Sequence, residues 1–350
     1  MIADGFIVFA IAFLACLVFT TVIIKFCRKY SIYDNPGGRH KRHKKPTPIL
    51  GGTAILISVW VAIFSFLIFG DGAFTDIKGA LPHILIGSLM IYGIGLLDDF
   101  RPVSAWAKLT AQAAAGLVLY FGGLSVNLIS LPILGEFGVK GFSFFITVGW
   151  VIALSNAINL IDGLDGLAAG VSVIASVTMV IIGVLFKIDA MIIISVAVLG
   201  SLLAFWIFNR YPARIFLGDS GSLLIGYFFA VISLVVPIKS YTTAALFMPL
   251  VVLGVPLTEV ITSFLRRLAA GKSVMRADRR HIFHLLAFAG LSYRQIINLF
   301  YLSGLFFGFL SIIMLLFGRG VVLAFLLLFM VVIFIIYFIL IARMKKENTA

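Results

Sequence analysis

Ser155 to Gly166 reads S-N-A-I-N-L-I-D-G-L-D-G and lies between two apolar runs, 142–160 and 167–186. Each run is long enough to cross a bilayer. Asn156, Asn159, Asp162 and Asp165 recur every three residues, which on a helix makes one slowly rotating polar stripe. Gly163 and Gly166 loosen the backbone beside the two carboxylates. Polar and ionised groups at a membrane border are costly, so by default they mark a functional site. A plainer reading, a helix end capped by Asp and Asn, uses the same residue types.

The surrounding composition sets the solvent. Of 350 residues 62% are hydrophobic and only 12% charged, and the mean hydropathy is +1.17. Such a chain is an all-α polytopic integral membrane protein, because long continuous apolar runs, rather than short alternating segments, predict helices and not a barrel. The net charge of +13 does not point to nucleic acid, since the basic residues sit in short loops between spans. Cys16 and Cys27 have no metal-ligand spacing and read as packing residues. The first apolar run lacks a basic leader and is read as a retained span.

Eleven apolar runs are predicted as spans: 5–26, 49–69, 80–97, 105–121, 142–160, 167–186, 189–208, 220–236, 242–264, 295–317 and 320–342. With the N-terminus outside and the C-terminus in the cytoplasm, 22 of the 27 Lys and Arg residues fall on the cytoplasmic side. Asp34, Asp98, Asp99, Asp162, Asp165, Asp219 and Asp278 fall there too, as do His40, His43, His281 and His284. The whole chain, 1–350, reads as one transmembrane domain whose chemical side chains lie in cytoplasmic loops at about 27–48, 98–104, 155–166, 209–219 and 266–294.

Asp98 and Asp99 close the third run in G-L-L-D-D-F-R, with Lys108 ten residues beyond Asp98. Adjacent carboxylates at a helix C-terminus repel one another and oppose the helix dipole. A divalent cation would relieve both effects, and Mg²⁺ is typically held by one or two carboxylates plus substrate phosphates. A solvated acidic turn that ends the span is the simpler alternative. Asp219 stands in N-R-Y-P-A-R-I-F-L-G-D-S-G-S, a compact turn opening a helix. Its backbone N–H groups could face a phosphate with Asp219 as metal ligand, or the turn could be a cap alone. Asn209 and Arg214 are further donors nearby.

Isolated acids on one face suggest metal-assisted chemistry on phosphates, with one carboxylate taking the acceptor's proton. Two basic loops complete that face. The first, Asp34 to Gly52, suits anionic lipid headgroups. The second carries Arg279 and Arg280 ahead of His281 and His284, which share a helical face at i, i+3. Two histidines are too few for zinc, so contact with phosphate or sugar is the better reading.

Together, D-N-P-G-G-R-H-K…H-K-K-P-T-P-I-L-G-G, G-L-L-D-D-F-R-P-V-S-A-W-A-K, N-A-I-N-L-I-D-G-L-D-G-L-A-A-G, N-R-Y-P-A-R-I-F-L-G-D-S-G-S and D-R-R-H-I-F-H resemble the polyprenyl-phosphate N-acetylhexosamine-1-phosphate transferases. The resemblance is to the WecA/TagO branch, runs in order from about residue 30 to 295, and fits that family's eleven spans. It implies transfer of GlcNAc-1-phosphate from UDP-GlcNAc to undecaprenyl phosphate at the cytoplasmic face of the bacterial inner membrane, with release of UMP. It also implies a Mg²⁺ requirement, Mn²⁺ being a possible substitute, and a homodimer. By the same resemblance Asp98 is the base, Asp99 its acidic partner and a metal-side carboxylate, and Lys108 a phosphate-binding lysine. Asp219 and Asn159 are metal ligands, and Asp162 and Asp165 lie on the nucleotide side. Asn156, Asn209 and Arg214 join the substrate contacts, with Arg279, Arg280, His281 and His284 on the pyrophosphate. The mechanism is open between direct attack and an aspartyl intermediate, and the downstream glycan, a teichoic acid, O-antigen or similar polymer, is unspecified.

One position departs from the family's H-x-H-H. Phe283 stands where the third member is usually His, so Phe283→His is expected to be neutral or mildly activating. The chain lacks the triple-His run of the MraY-type phospho-MurNAc-pentapeptide transferases, which are the alternative within the family. A cation-coupled transporter is the alternative outside it. Transporters place coupling residues near the bilayer midplane, whereas here the midplane of nearly every span is plain apolar sequence, and Glu259, in the ninth run near its cytoplasmic end, is the main exception.

Overall fold

The computed structural model describes residues 2–34, 46–70, 77–131, 135–139, 141–235, 254 and 282–317. Its helices are α1 (Ile2–Tyr30), α2 (Gly51–Phe69), α3 (Leu81–Phe100), α4 (Ala105–Phe121), α5 (Ser143–Ile161), α6 (Leu167–Phe186), α7 (Asp189–Asn209), α8 (Gly218–Leu234), α9 (Ile282–Phe288) and α10 (Tyr293–Phe317). Nine of the eleven predicted runs coincide with α1–α8 and α10; the run at 320–342, and that at 242–264 apart from Gly254, lie outside the described residues. Seven of these helices are long and apolar enough to cross a membrane, and the chain is a multi-pass helical membrane protein.

One element was not anticipated. Between α4 and α5, strands β1 (Leu128–Leu131) and β2 (Gly135–Gly138) pair antiparallel, with Leu128 opposite Gly138. A four-residue strand is too short to show clear alternation, so its signal is lost in a segment read as plain loop. The described residues are therefore helical with one small hairpin.

The helices are arranged around α8. Every residue from Ser220 to Leu234 is buried, and α8 packs against α2, α3 and α5. A helix that is apolar all round is an interior helix, and here neighbouring helices replace lipid on all its faces. The outer wall is the reverse: Phe6, Leu14, Phe69, Phe142 and Phe145 are exposed, as side chains facing hydrocarbon should be. A second packed layer joins α1, α2, α6 and α7, with α10 against α6. Cys16 and Cys27 are buried free thiols in this layer, consistent with packing roles.

Close approach to α8 depends on small residues and a few directed hydrogen bonds. A Cβ on Gly226 would meet Ser155 Cα of α5 at 2.5 Å and collide with the Leu154 carbonyl. Tyr227 donates to the Ile84 carbonyl of α3 at 2.9 Å, its hydroxyl lying where Gly87 has no side chain. Trp150 of α5 donates to Ser233 Oγ at 2.7 Å. Gly226→Val should therefore separate α5 from α8 and destabilise the protein by about 1–3 kcal/mol, the usual cost of overpacking. Thermal unfolding in detergent checks this; an unchanged midpoint would mean the interface yields freely.

Candidate active site

The site lies where α3, α4, α5 and α8 meet at one end of the bundle. Asp98 and Asp99 occupy the last turn of α3, and Asp219 opens α8. Lys108 is in the first turns of α4, whose Ser104 N-cap accepts from the Ala107 N–H at 3.2 Å. The Lys108 ammonium pairs with Asp98 Oδ2 at 2.8 Å and Asp219 Oδ2 at 2.5 Å. Two acidic motifs more than a hundred residues apart in sequence thus share one cation. Asp98 is further held through Oδ1, which accepts from the Val103 N–H at 2.7 Å.

Asp99 turns the other way. Its Oδ1 accepts from the Asp219 N–H at 2.7 Å, and its Oδ2 accepts from Ser220 N–H at 3.2 Å and Ser220 Oγ–H at 2.6 Å. The first amides of α8, expected to face a phosphate, are therefore engaged by this carboxylate. The turn before α8 is clamped by the end of the first basic loop. Phe216 N–H donates to the Pro48 carbonyl at 2.7 Å, while Gly51 and Gly52 N–H donate back to Phe216 and Leu217 carbonyls at 3.1 and 3.2 Å. Asp34 and Thr47 pair across the base of that loop; residues 35–45 lie outside the described residues.

The predicted Asn/Asp stripe is broken by the end of α5. Asn156 and Asn159 are on the helix, but Asp162 is its C-cap and Asp165 lies in the following turn. Gly166, with φ +78, makes the reversal into α6, a left-handed conformation that favours glycine. Asn159 Nδ2 donates to Ser222 Oγ of α8 at 2.9 Å, a bond in which its Oδ1 acceptor and second N–H take no part. Asn156 Nδ2 donates to Gln112 Oε1 at 2.7 Å and to the Ile152 carbonyl at 2.8 Å. Burial, with the charges of Asp219, Asp99 and Asp165, holds the Asp162 carboxyl well above the usual carboxylate range.

Asn209, a predicted substrate contact, and Asp165, a predicted nucleotide-side carboxylate, each hold backbone. Asn209 is buried, accepting from the Gly166 N–H at 3.0 Å and donating to the Ile215 carbonyl at 2.9 Å. Asp165 Oδ2 accepts from the Ala213 N–H at 3.0 Å. Both tie the acidic turn to the α7–α8 connection and so act on its shape. Arg214 is exposed beside them. Arg279, Arg280 and His281 lie outside the described residues; His284 falls within α9.

Several contributing residues went unread in the sequence. Tyr301 donates to the Gly166 carbonyl at 2.7 Å and accepts from Trp206 Nε1 at 2.9 Å, and Tyr293 donates to the Asp165 carbonyl at 3.2 Å. Two tyrosines eight residues apart share a helical face, which was the available signal. Gln112 stands one turn beyond Lys108 beside the small residues Ala111 and Ala113 to Gly116, a comparable signal.

Among the described residues no three His, Cys, Asp or Glu side chains gather as a cage for a metal ion. The donor set nevertheless fits a hard divalent cation that completes its shell with substrate oxygens. Asp98 and Asp219 share a single ammonium, Asp99 adds a further negative charge at the start of α8, and Asp219 is partly open to solvent.

With this geometry in view, comparison with known proteins is decisive. Residues 81–237 match the model of glycosyl transferase family 4. A probable undecaprenyl-phosphate N-acetylglucosaminyl 1-phosphate transferase of Bacillus subtilis (strain 168) is 33% identical over 309 residues, covering 88% of this chain and 84% of the relative. The chain belongs to glycosyl transferase family 4. A decaprenyl-phosphate N-acetylglucosaminephosphotransferase of Mycobacterium leprae (strain TN) is 34% identical over 74% of this chain and 71% of its own. A phospho-N-acetylmuramoyl-pentapeptide-transferase of Streptococcus thermophilus (strain CNRZ 1066) is 35% identical over 65% and 72%. All the described acidic residues of the site except Asp34 fall within the matched family segment.

Phe283 is 3% exposed, and a Cβ on Gly163 of the acidic turn would collide with its ring. The sequence-based expectation for Phe283→His is thereby revised. An imidazole in this pocket loses water without an assured partner, at a cost of about 1–3 kcal/mol. We expect the thermal midpoint of that variant in detergent to fall; an equal or higher midpoint would show that the turn supplies a partner.

Proposed function

We propose that the protein transfers N-acetylglucosamine-1-phosphate from UDP-GlcNAc to undecaprenyl phosphate, forming undecaprenyl-diphosphate-GlcNAc and UMP. The observation that carries this reading is the Lys108 ammonium held between Asp98 and Asp219 at the meeting of α3, α4 and α8. It gives a phosphate-binding cation and two acids beside the membrane, in a chain whose relatives are named for this reaction.

In this reading Lys108 receives the acceptor phosphate, and Asp98 takes its remaining proton. A phosphate oxygen of the lipid attacks the sugar-bearing phosphorus of UDP-GlcNAc. The bond from that phosphorus to the bridging oxygen breaks, and UMP leaves with the electron pair. Asp219 and Asn159 Oδ1 would hold Mg²⁺, or Mn²⁺ in its place. When bound, the ion neutralises charge on the pyrophosphate and the leaving nucleotide. Direct attack suits the geometry, since Asp98 is paired to Lys108 and both oxygens of Asp99 are engaged. Asp162 and Asn156 face the nucleotide side, shaped by Asp165 and Asn209, while Arg214, Arg279, Arg280, His281 and His284 receive the pyrophosphate.

The same proposal gives eleven spans, an external N-terminus and a cytoplasmic C-terminus, supported by the distribution of Lys and Arg. It places the protein in the bacterial cytoplasmic membrane as a homodimer, with the basic first loop against anionic lipid and the site facing the cytoplasm. The product would begin a cell-surface glycan.

The test uses purified protein in detergent with undecaprenyl phosphate, Mg²⁺ and labelled UDP-GlcNAc. UMP release should require the lipid and stop with EDTA. Asp98→Asn and Asp219→Asn should each lower turnover by about three orders of magnitude or more while the protein stays folded. Turnover only with UDP-MurNAc-pentapeptide would move the protein to the sister reaction, and none with either donor would defeat the proposal.

A further inference from the structure

Adjacent residues on a helix point about 100° apart, so two neighbouring carboxylates cannot serve the same atom equally. Asp98 faces Lys108; Asp99 faces the backbone of α8. We infer that Asp99 is a positioning residue, neither base nor metal ligand, whose carboxylate caps α8 and so sets where the Asp219 side chain stands. Three hydrogen bonds carry the inference, all to residues 219 and 220, and together they use both oxygens. One of them grips the amide of Asp219 itself. The first amides of a helix have no partner within it. A carboxylate satisfies them with charge-assisted bonds in a favourable dipole.

The surrounding backbone is built for this contact. Gly218 has φ +73, and a Cβ there would lie 2.6 Å from Asp99 Oδ2. A Cβ on Gly95, one turn before Asp99, would lie 2.5 Å from Ser220 Cα. A Cβ on Gly52 of α2 would lie 2.5 Å from Gly221 N. Side-chain-free positions on three helices thus let α2 and α3 press directly on the first turn of α8. Ser220 is fully buried, so its hydroxyl has no solvent alternative to Asp99. The consequence for Asp219 is angular: its carboxylate reaches Lys108 from a backbone held by its neighbour.

The inference rests on Asp219 being the cation ligand, as proposed above. Its test reads Mn²⁺ binding directly, by the EPR signal of free Mn²⁺, on the full-length protein in detergent and without substrates. Asp99→Asn puts an amide nitrogen, a donor, toward one of the two donor sets, and should weaken Mn²⁺ binding about 5- to 30-fold without abolishing it. Ser220→Ala removes one bond and should weaken binding about 2- to 5-fold. The double variant should be no weaker than Asp99→Asn within about twofold, because both act on one contact. At saturating Mn²⁺, Asp99→Asn should recover turnover to within about tenfold of the wild type and keep its pH–rate limbs, which the loss of a base would remove.

Loss of all detectable Mn²⁺ binding in Asp99→Asn would make Asp99 a ligand and overturn the inference. So would unchanged affinity, or turnover at saturating cation as low as that of Asp98→Asn. If Asp99→Asn does not fold, Ser220→Ala decides alone, unchanged affinity counting against us. A wild type that binds no Mn²⁺ also sinks the idea. A wild type that binds Mn²⁺ with the expected losses in the variants, yet releases no UMP, would defeat the proposed reaction and leave this inference standing.

Discussion

A helix that starts inside a packed membrane protein must find partners for its first amides, because neither lipid nor bulk water is there to supply them. In this protein that constraint falls on α8, buried along its whole described length from Ser220. The partner is the Asp99 carboxylate. Much of the site follows from that contact. It ties the end of α3 to the start of α8, and therefore Asp98 to Asp219. Those two carboxylates can then share the ammonium that α4 delivers.

Charge explains why such an arrangement suits phosphate chemistry better than structural pairing alone. Two carboxylates around one ammonium, with the Asp99 carboxylate bonded to the start of α8 beside them, are poorly compensated, and burying such a cluster gains little for stability. A neutral scaffold would be cheaper to fold. Asp162 shows the same pressure from the other side of the site. Its carboxyl is held well above the usual range by burial and by the charges of Asp219, Asp99 and Asp165. Positive charge brought by a cation, or by the guanidinium groups of the basic loop, would relieve both. In the proposed reaction the acids would form a place where added cations and anionic substrate stabilise one another.

The sequence made the helical membrane class legible, together with nine of its described helices, seven of them long and apolar enough to cross a membrane, because apolar length is a strong signal. It also brought Asp98, Lys108 and Asp219 to one end of the bundle through topology. What it left unread is directional. Asp98 and Asp99 are the same residue type side by side, and only the helix phase separates a partner for Lys108 from a cap for α8. Asn209 resembles a substrate donor beside Arg210 and Arg214, yet both ends of its amide bind backbone. The Asn/Asp stripe failed after Asn159 because Gly163 and Gly166 end the helix within it, which a fixed period cannot register. The Tyr293 and Tyr301 hydroxyls were invisible because their partners are carbonyls, a feature every residue has.

Those carbonyl contacts give the acidic turn an unusual set of supports. Phe283 of α9 packs on Gly163, Tyr293 binds the Asp165 carbonyl, and Tyr301 binds that of Gly166. All three supports come from residues 283–301, the end of the second basic loop and the helix after it. The turn bearing Asp162 is consequently shaped by the segment that also anchors Arg279, Arg280 and His281 in sequence. A displacement of α9 or α10 must be felt at Gly163–Gly166, because ring, hydroxyl and carbonyl contacts have short range and leave little slack. Steric room on α6 makes the same point: Gly170 has no side chain where the Tyr301 hydroxyl lies, so that hydroxyl reaches Gly166 only along this path. The two ends of a sugar nucleotide would then be gripped by one mechanically continuous unit, and the reacting phosphorus would be aligned by both grips together against the fixed Asp98–Lys108–Asp219 cluster.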